Sequence, residues 1–550
     1  MNSPKPHERA PTGVKLIHSH AHEEGVPGTI NLVAIEGDDT AYGQALFPVP
    51  AQDLNDPLQW PKLKKILIMV VICIYSFLGN SALTGIAPYV TLFATIFDTT
   101  PTEASNLITY PNLAYGFGSL LLIPLYLKFG RRPVMLGTIL VFIAGLIGCS
   151  RADTFGTLMV ARCFASLASG ICEAMPVQLV NDVFFIHERG TKIAFYTAAL
   201  CLSTLSPLCA GYMLEAGYSW RLFFYVHIAF AGLLFILAFL FAEETSYDRE
   251  AVRAQEATTC IAPAINQTSP NVHDEKTIIG KDMATPANIQ PRRQFFQRLS
   301  PAGRIDHDFP FFLTIVRSFS YFLVPQALWV ITTYGIIIGL GTFAISLTFP
   351  TRIMQPPYNW DVSQSGLLSV ASTLGFLFAL PLSSSSDRVA AYLTRRNGGV
   401  REAEMRLGVL LVPMILGPAG LICYGFTAQY GLHWTGYFFG CGMLAWSGFF
   451  YFSYTIVYAV DSYFANTSEM LIAINIGKQA ISFGFGFAVL TWVVDYGYVN
   501  VISGIFTGVL VLNNLMLVVF MMWGKDIRRG MSKTWLARFH RQSIREVMTH

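Results

Sequence analysis

Charge is what this chain has least of. Of 550 residues only 13% are charged, 37 Lys and Arg against 34 Asp and Glu, while 53% are hydrophobic. A soluble protein carries roughly 25% charged residues, and one of this length would need a charged skin over several domains. A mean hydropathy of +0.47 agrees. Soluble enzyme, disordered scaffold and secreted disulfide module are poor readings, and a multi-span membrane protein is the good one. The net charge of +3 comes with no basic stripe, so nucleic acid is not a partner. Cysteine is scarce and unpaired: nine residues, an odd count with no Cys-x-x-Cys, eight of them in apolar stretches and Cys260 in a polar one. That is neither a zinc layout nor a disulfide framework. No Gly-x-x-x-x-Gly-Lys-Ser/Thr loop is present, so ATP is not the direct driver. No nucleophile–base set or metal cluster appears, so neither an enzyme nor a cofactor is expected. His18, His20 and His22 sit in a polar tail without a second cluster. The polar N-terminal region leaves no cleavable signal peptide, and the first apolar stretch then serves as the insertion signal.

What is present is a series of long apolar runs. A bilayer core about 30 Å thick takes about 20 apolar residues per helix. Twelve stretches meet this: 66–90, 107–127, 133–150, 155–178, 191–214, 221–241, 326–349, 364–384, 407–427, 434–458, 468–494 and 499–523. A polar gap of 68 residues, 243–310, separates the sixth from the seventh and reads as a tether or a regulated linker. The stretch 311–324 is apolar but carries Arg317, and belongs at the membrane surface. The chain therefore divides into a tail (1–65), a six-helix bundle (66–242), a central loop with the interfacial segment (243–325), a second six-helix bundle (326–524) and a second tail (525–550). The fold class is an all-α membrane protein, twelve transmembrane helices in two six-helix bundles around a central cavity.

The short loops orient it. One set holds Lys128, Arg131, Arg132, Arg189, Lys192, Arg388, Arg395, Arg396, Arg401 and Arg406; the alternate set holds only Arg151, Arg221 and Arg352. Lys and Arg accumulate on the cytoplasmic side, which places both termini and the central gap there, in the plasma membrane. The sequons at Asn266 and Asn466 fall on that side and should go unused. The halves also echo each other. Basic turns follow the second and eighth spans, and Asp182 and Asp461 close the fourth and tenth. A duplicated unit with a site at the midplane is the architecture of alternating-access transporters.

Local motifs sharpen this. Leu127-Lys128-Phe129-Gly130-Arg131-Arg132 is similar to Asp-Arg-x-Gly-Arg-Arg, with Leu127 in the acidic place. Arg162 followed by Gly170, and Ser206-Pro207-Leu208-Cys209-Ala210-Gly211, are similar to two further signatures. Asp56-Pro57-Leu58-Gln59-Trp60-Pro61, His187-Glu188-Arg189-Gly190, Trp220-Arg221, Glu244-Thr245-Ser246 and Arg395-Arg396-Asn397-Gly398-Gly399 complete the set. Across 56–529 the chain resembles the major facilitator superfamily, and these matches resemble its fungal twelve-span drug:proton antiporter branch, polyamine-type members included. The resemblance implies a monomeric transporter in the lipid bilayer, working by alternating access, with a small molecule and protons as its partners.

Charge inside a bilayer is costly and usually functional. Arg162 and Glu173 lie 11 residues apart, about three turns and 16 Å on a continuous helix, so both would face one way. The resemblance places that face in the pathway. Burial raises a carboxyl pKa, which makes Glu173 the proton-coupling candidate; static ion pairing is the plainer role for either residue. The first span has no acid, and offers Asn80 and Ser81 instead. Lys478, with Asn475 and Gln479 on its face, is near mid-membrane. It could contact substrate, counter Glu173 across the halves, or pair with Asp461 or Glu469. Ser447, Tyr451, Tyr454 and Tyr458 form a stripe at offsets of four, three and four. With Tyr334 they suit flat lipophilic solutes or cations, or simply pack the helix. Arg131 and Arg132 can reach Asp182, and Arg388 or Arg395 can reach Asp461, with Asp387 beside them, as a cytoplasmic gate. Pro207 and Gly211 permit a bend in the fifth span. His227 reads as a satisfied structural histidine. The expectation is a proton-driven exporter of neutral or weakly acidic organics. Uptake of a cationic nutrient such as a polyamine is the alternative, and a non-transporting receptor on the same fold is the rival from another class.

Overall fold

A computed structural model describes residues 29–31, 55–247, 309–397, 400–462 and 467–540. His18, His20, His22, Cys260, the sequon asparagines Asn266 and Asn466, and the Gly398-Gly399 pair lie outside these residues. The described chain is helical apart from one two-stranded antiparallel pair, β1 (Thr29–Asn31) on β2 (Val400–Glu402).

Eleven helices are long and apolar enough to cross a membrane: Lys62–Ile96, Arg131–Ser150, Phe155–Val183, Glu188–Glu215, Arg221–Phe241, Pro325–Ile353, Gln364–Arg396, Ala403–Tyr430, Thr435–Ser462, Ser468–Tyr496 and Val499–Met531. The remaining member of the expected twelve is Pro101–Phe129, second in chain order. Its 29 residues span about 43 Å at 1.5 Å per residue, ample for a bilayer. It is less apolar because protein, not lipid, surrounds much of it. It packs along the fourth and eleventh spans and buries Ser105, Thr109, Asn112 and Ser119. The architecture is twelve spans in two sixes, numbered one to twelve below.

The two sixes meet along two seams. Span two lies on span eleven, and span five lies on spans eight and ten. Small residues allow the close approaches these seams need. A Cβ on Gly116 would lie 2.9 Å from Gln479 Cβ, and one on Gly366 would lie 2.7 Å from the Pro207 carbonyl oxygen.

Two spans depart from straight rods. Span four is helical over Phe155–Ser169 and again over Ala174–Val183, with a break between. Gly170 stands at the break because a Cβ there would sit 2.2 Å from the Tyr115 carbonyl oxygen of span two. The one-face argument for Arg162 and Glu173 assumed a continuous helix and is corrected here. Span five changes from α-helix (Ile186–Leu202) to a 3₁₀ turn (Ser203–Leu205) and restarts at Ser206–Glu215. Pro207 opens the restarted segment, where it needs no intrahelical donor, and Gly211 is buried behind it.

Candidate functional site

Most motif residues turn out to build the ends of the helices. Glu244 accepts from the backbone N–H groups of Arg131 (3.0 Å) and Arg132 (3.1 Å), capping the start of span three. Its neighbour Thr245 donates to Asp182 at 3.0 Å. Asp56 caps the 3₁₀ turn Pro57–Gln59, and Lys65 donates to the Leu58 carbonyl at 3.0 Å. Arg189 donates to the carbonyls of Asn181 (2.9 Å) and Phe184 (3.1 Å), tying the fourth-to-fifth turn together. Trp220 packs edge-on to Phe93 at 5.3 Å, and Arg221 reaches Asp153 at 2.7 Å.

Two ion-pair clusters occupy the end that carries the basic loops. In the first six, Arg131 meets Asp182 at 3.1 Å, while Arg132 turns away to the Phe239 carbonyl at 2.7 Å. In the second six, the expected partners of Asp461 are corrected. Arg388 and Arg395 are exposed and form no ion pair among the described residues. Arg406 takes their place, reaching Asp461 at 2.6 Å and Asp387 at 2.5 Å, with Arg401 at 3.8 Å from Asp461. Arg406 is 1% exposed, so the two carboxylates are what satisfy its buried charge. Asp387 also touches the other half: a Cβ on Gly190 would lie 2.2 Å from its carboxylate. Beside it, Gln178 of span four donates to Ser468 of span eleven at 2.9 Å. The basic end is therefore closed.

Deeper, one ion pair among the described residues crosses between the sixes. Glu173, at the break in span four, pairs directly with Lys478 of span eleven. Both are buried, Glu173 at 8% and Lys478 at 1% exposure. Span five steadies the turn, since the Tyr196 hydroxyl donates to the Glu173 carbonyl at 2.9 Å. Lys478 also stands 5.3 Å over the Tyr334 ring of span seven. Asn475 and Gln479 are buried beside it. The plainer pairings of Lys478 do not form, because Asp461 is held by Arg406 and Glu469 faces Arg317 at 4.0 Å.

Arg162 lies elsewhere. Its guanidinium donates to the carbonyls of Leu107 (2.8 Å), Leu83 (2.9 Å) and Ala82 (3.3 Å), all inside the first six. It bolts spans one, two and four together. Asn80 donates to Ser203 at 2.6 Å between spans one and five. The span-ten stripe divides by partner. Ser447 donates to the Met443 carbonyl of its own helix at 2.9 Å. Tyr451 donates to Asn514 of span twelve at 2.7 Å. Tyr454 donates to the Leu382 carbonyl at 3.0 Å and sits 2.9 Å from the Ser385 hydroxyl. Tyr458 stacks edge-on to Trp329 at 6.1 Å. These contacts are within the second six. His227 bridges the Phe223 carbonyl (2.9 Å) and the Ser81 hydroxyl (2.8 Å).

Between the sixes, toward the end opposite the basic loops, a cleft encloses about 810 Å³ of unfilled space, its open mouth included. Spans one, five, seven, eight and ten line it. Its walls are aromatic (Phe349, Phe376, Phe452) and hydroxyl-bearing (Ser365, Ser372), and among the described residues no charged side chain lines it. Phe452 lies at its inner end, and the Tyr334 hydroxyl donates to the Phe452 carbonyl. Sequence reading missed both Phe452 and Arg406, because neither is chemically unusual for its segment.

A profile described as Major Facilitator Superfamily matches residues 69–487. An uncharacterized MFS-type transporter of Schizosaccharomyces pombe is 25% identical, covering 86% of this chain and 88% of its own. The MFS-type transporter penM of Penicillium rubens is 27% identical over 77% of each. Among solved structures, the proton:xylose symporter XylE superposes with TM-score 0.51 at 13% identity, covering 84% of this chain and 96% of its own. The human organic anion transporter MFSD10 superposes with TM-score 0.51 at 15% identity, covering 83% and 100%.

Proposed function

The chain belongs to the Major Facilitator Superfamily, and from that premise we propose that it is a proton-coupled exporter of small, uncharged organic compounds. Transport across a membrane is the shared activity of its named relatives; the coupling ion, direction and substrate class are our reading. Its carrying observation is the buried Glu173–Lys478 pair across the two sixes. Desolvation offsets most of what a buried pair adds to stability, so stability alone is a weak reason for this one. Protonating Glu173 removes its charge and with it the attraction that joins span four to span eleven. The sixes can then separate at the basic end, where Arg131–Asp182 and Arg406–Asp387 lie within each half and Gly190–Asp387 and Gln178–Ser468 lie between them. Rocking between the two packings needs only a few kcal/mol of bias.

The cleft favours uncharged cargo. Its aromatic walls suit flat lipophilic rings. A polyamine would need carboxylates to replace its hydration, and none lines the cleft. Membership in the drug:proton antiporter branch, a plasma-membrane setting with cytoplasmic termini, and a monomeric state belong to the same reading.

The test is Glu173→Gln in proteoliposomes, assayed with a labelled panel of neutral aromatic and polyamine compounds. Accumulation driven by a pH gradient should fall at least about tenfold, while counterflow exchange continues. Full pH-driven accumulation by the variant would refute proton coupling through Glu173. Polyamine flux without flux of neutral compounds would refute the substrate class.

A further inference from the structure

The cleft and the ion pair are separate sites, and a coupled transporter must connect them. A continuous set of contacts does so. Phe452 lines the cleft. Its carbonyl accepts the Tyr334 hydroxyl, and the two rings lie 5.0 Å apart at 43°. Tyr334 also meets Lys478, whose ammonium stands 5.3 Å from the ring centre and pairs with Glu173. Tyr334 is 4% exposed, so its ring is packed rather than free to swing. Span seven continues from it into a π-helical segment, Ile337–Phe343, where backbone bonding is looser than in an α-helix. Ile337 and Gly341 of that segment also line the cleft.

We propose that Tyr334 is the positioning residue that couples occupancy of the cleft to the protonation of Glu173. This rests on the reading of Glu173 as the proton site. Anything that displaces Phe452 must move the Tyr334 hydroxyl that bonds its carbonyl. The ring then shifts relative to Lys478 and changes their cation–π contact, which is strongest where water is excluded. Lys478 divides its attraction between the ring and the carboxylate, so the carboxylate's hold on its proton changes in turn. By linkage, a proton that alters the cleft is altered equally by what fills it. Other titratable groups near the pair do not compete for this role. They are Cys172 of span four, Tyr115 of span two, Tyr75 of span one, and Tyr196 and Cys201 of span five. All are phenols or thiols, ordinarily uncharged near neutrality, and none of them lines the cleft.

The experiment needs no ligand. The full chain is placed in lipid nanodiscs and titrated from pH 5 to 8. Two signals are followed: the infrared carbonyl band of protonated Glu173, assigned by its loss in Glu173→Gln, and hydrogen–deuterium exchange in the cleft segment 441–452, corrected for intrinsic rates. In the unmodified protein both should titrate with one midpoint, exchange changing at least about threefold. Tyr334→Phe keeps the ring over Lys478 and removes only the hydroxyl. The infrared band should still titrate, and the exchange change should disappear. Tyr334→Leu, which also removes the ring, should in addition shift the band's midpoint. Cleft exchange that follows pH in Tyr334→Phe as in the unmodified protein overturns the role of Tyr334. A cleft that ignores pH while the band titrates overturns the coupling itself. A missing Glu173 band with a pH-insensitive cleft overturns the proton assignment on which the inference stands, so the two failures are distinguishable.

Discussion

At the scale of residues, the buried charges deepest in the spans have partners that sequence spacing does not reveal. Lys478 and Glu173 are 305 positions apart and touch because span four breaks beneath span eleven. Removing one member leaves the other buried and alone, which costs about 3–5 kcal/mol. Lys478→Met should therefore lower the unfolding midpoint in detergent sharply, and adding Glu173→Gln should restore most of the loss. Equal midpoints for the single and double variants would show that the pair contributes no coupling energy. Arg162 carries the opposite lesson. Its position in span four allows a pathway role or a static one, and three backbone carbonyls satisfy it inside the first six. An intramembrane arginine stands out in a sequence, but its role depends on which carbonyls surround it. Arg406 was the converse case. It looked like one loop charge among ten, and only the return of its loop onto Asp387 and Asp461 distinguishes it from Arg388 and Arg395.

At the scale of elements, glycine placement decides how closely spans approach. Gly170→Val would push a side chain against the Tyr115 carbonyl, 2.2 Å from the position of its Cβ. The expected penalty is about 1–3 kcal/mol or more. Gly137→Ala, facing open space on span three, should be neutral or stabilising by about 0.5–1 kcal/mol. Thermal unfolding of the two variants side by side checks both. The helix Phe311–Ser320 shows how an element can invert the usual pattern. It exposes Phe312, Val316 and Phe319 and buries Thr314, Arg317 and Ser318, the arrangement that a helix at a membrane surface would need. Its end holds the last described helix, where His540 stacks on Tyr321 at 4.4 Å and lies 2.7 Å from the Ser320 hydroxyl. Burial, and then the nearby Arg317 charge, push the His540 pKa down to about 4. The docked histidine is neutral. Its contribution is fully present above the ordinary value near 6.5 and is lost as pH falls from there toward 4. Exchange of residues 535–540 should rise on acidification from pH 7 to 4.5, and His540→Phe should flatten that response.

At the scale of the whole molecule, the two sixes are closed at the basic end and parted by the cleft at the other. Arg406 organises the closed end of the second six, and charge-assisted bonds of this kind contribute about 1.5–3 kcal/mol each. Full inversion of a 99:1 population needs about 5.5 kcal/mol. Those bonds lie within the second six, but they hold Asp387 where it meets Gly190 of the first, so Arg406→Ala should shift the balance toward opening at the basic end by about tenfold at most. Distances between spin labels on span five and span eight at that end would show it as a longer-distance population. An unchanged distance distribution would remove Arg406 from the gate.

Twelve spans, their grouping by the central polar gap and the membrane class were legible in the sequence, because hydrophobic run length answers directly to bilayer thickness. Even Pro101–Phe129, too polar for a hydropathy criterion, was readable from its apolar core at 107–127. Side-chain partnership was not legible in the same way. It depends on where helices break and how closely glycines let them approach, and those are properties of neighbours hundreds of residues away. The chain's own order of apolar and polar segments therefore determined that it crosses the membrane and how often. Only the tertiary packing decided which buried charge faces the seam between the sixes and which is locked inside one of them, because a charge in low dielectric takes its meaning from the groups within a few ångströms of it.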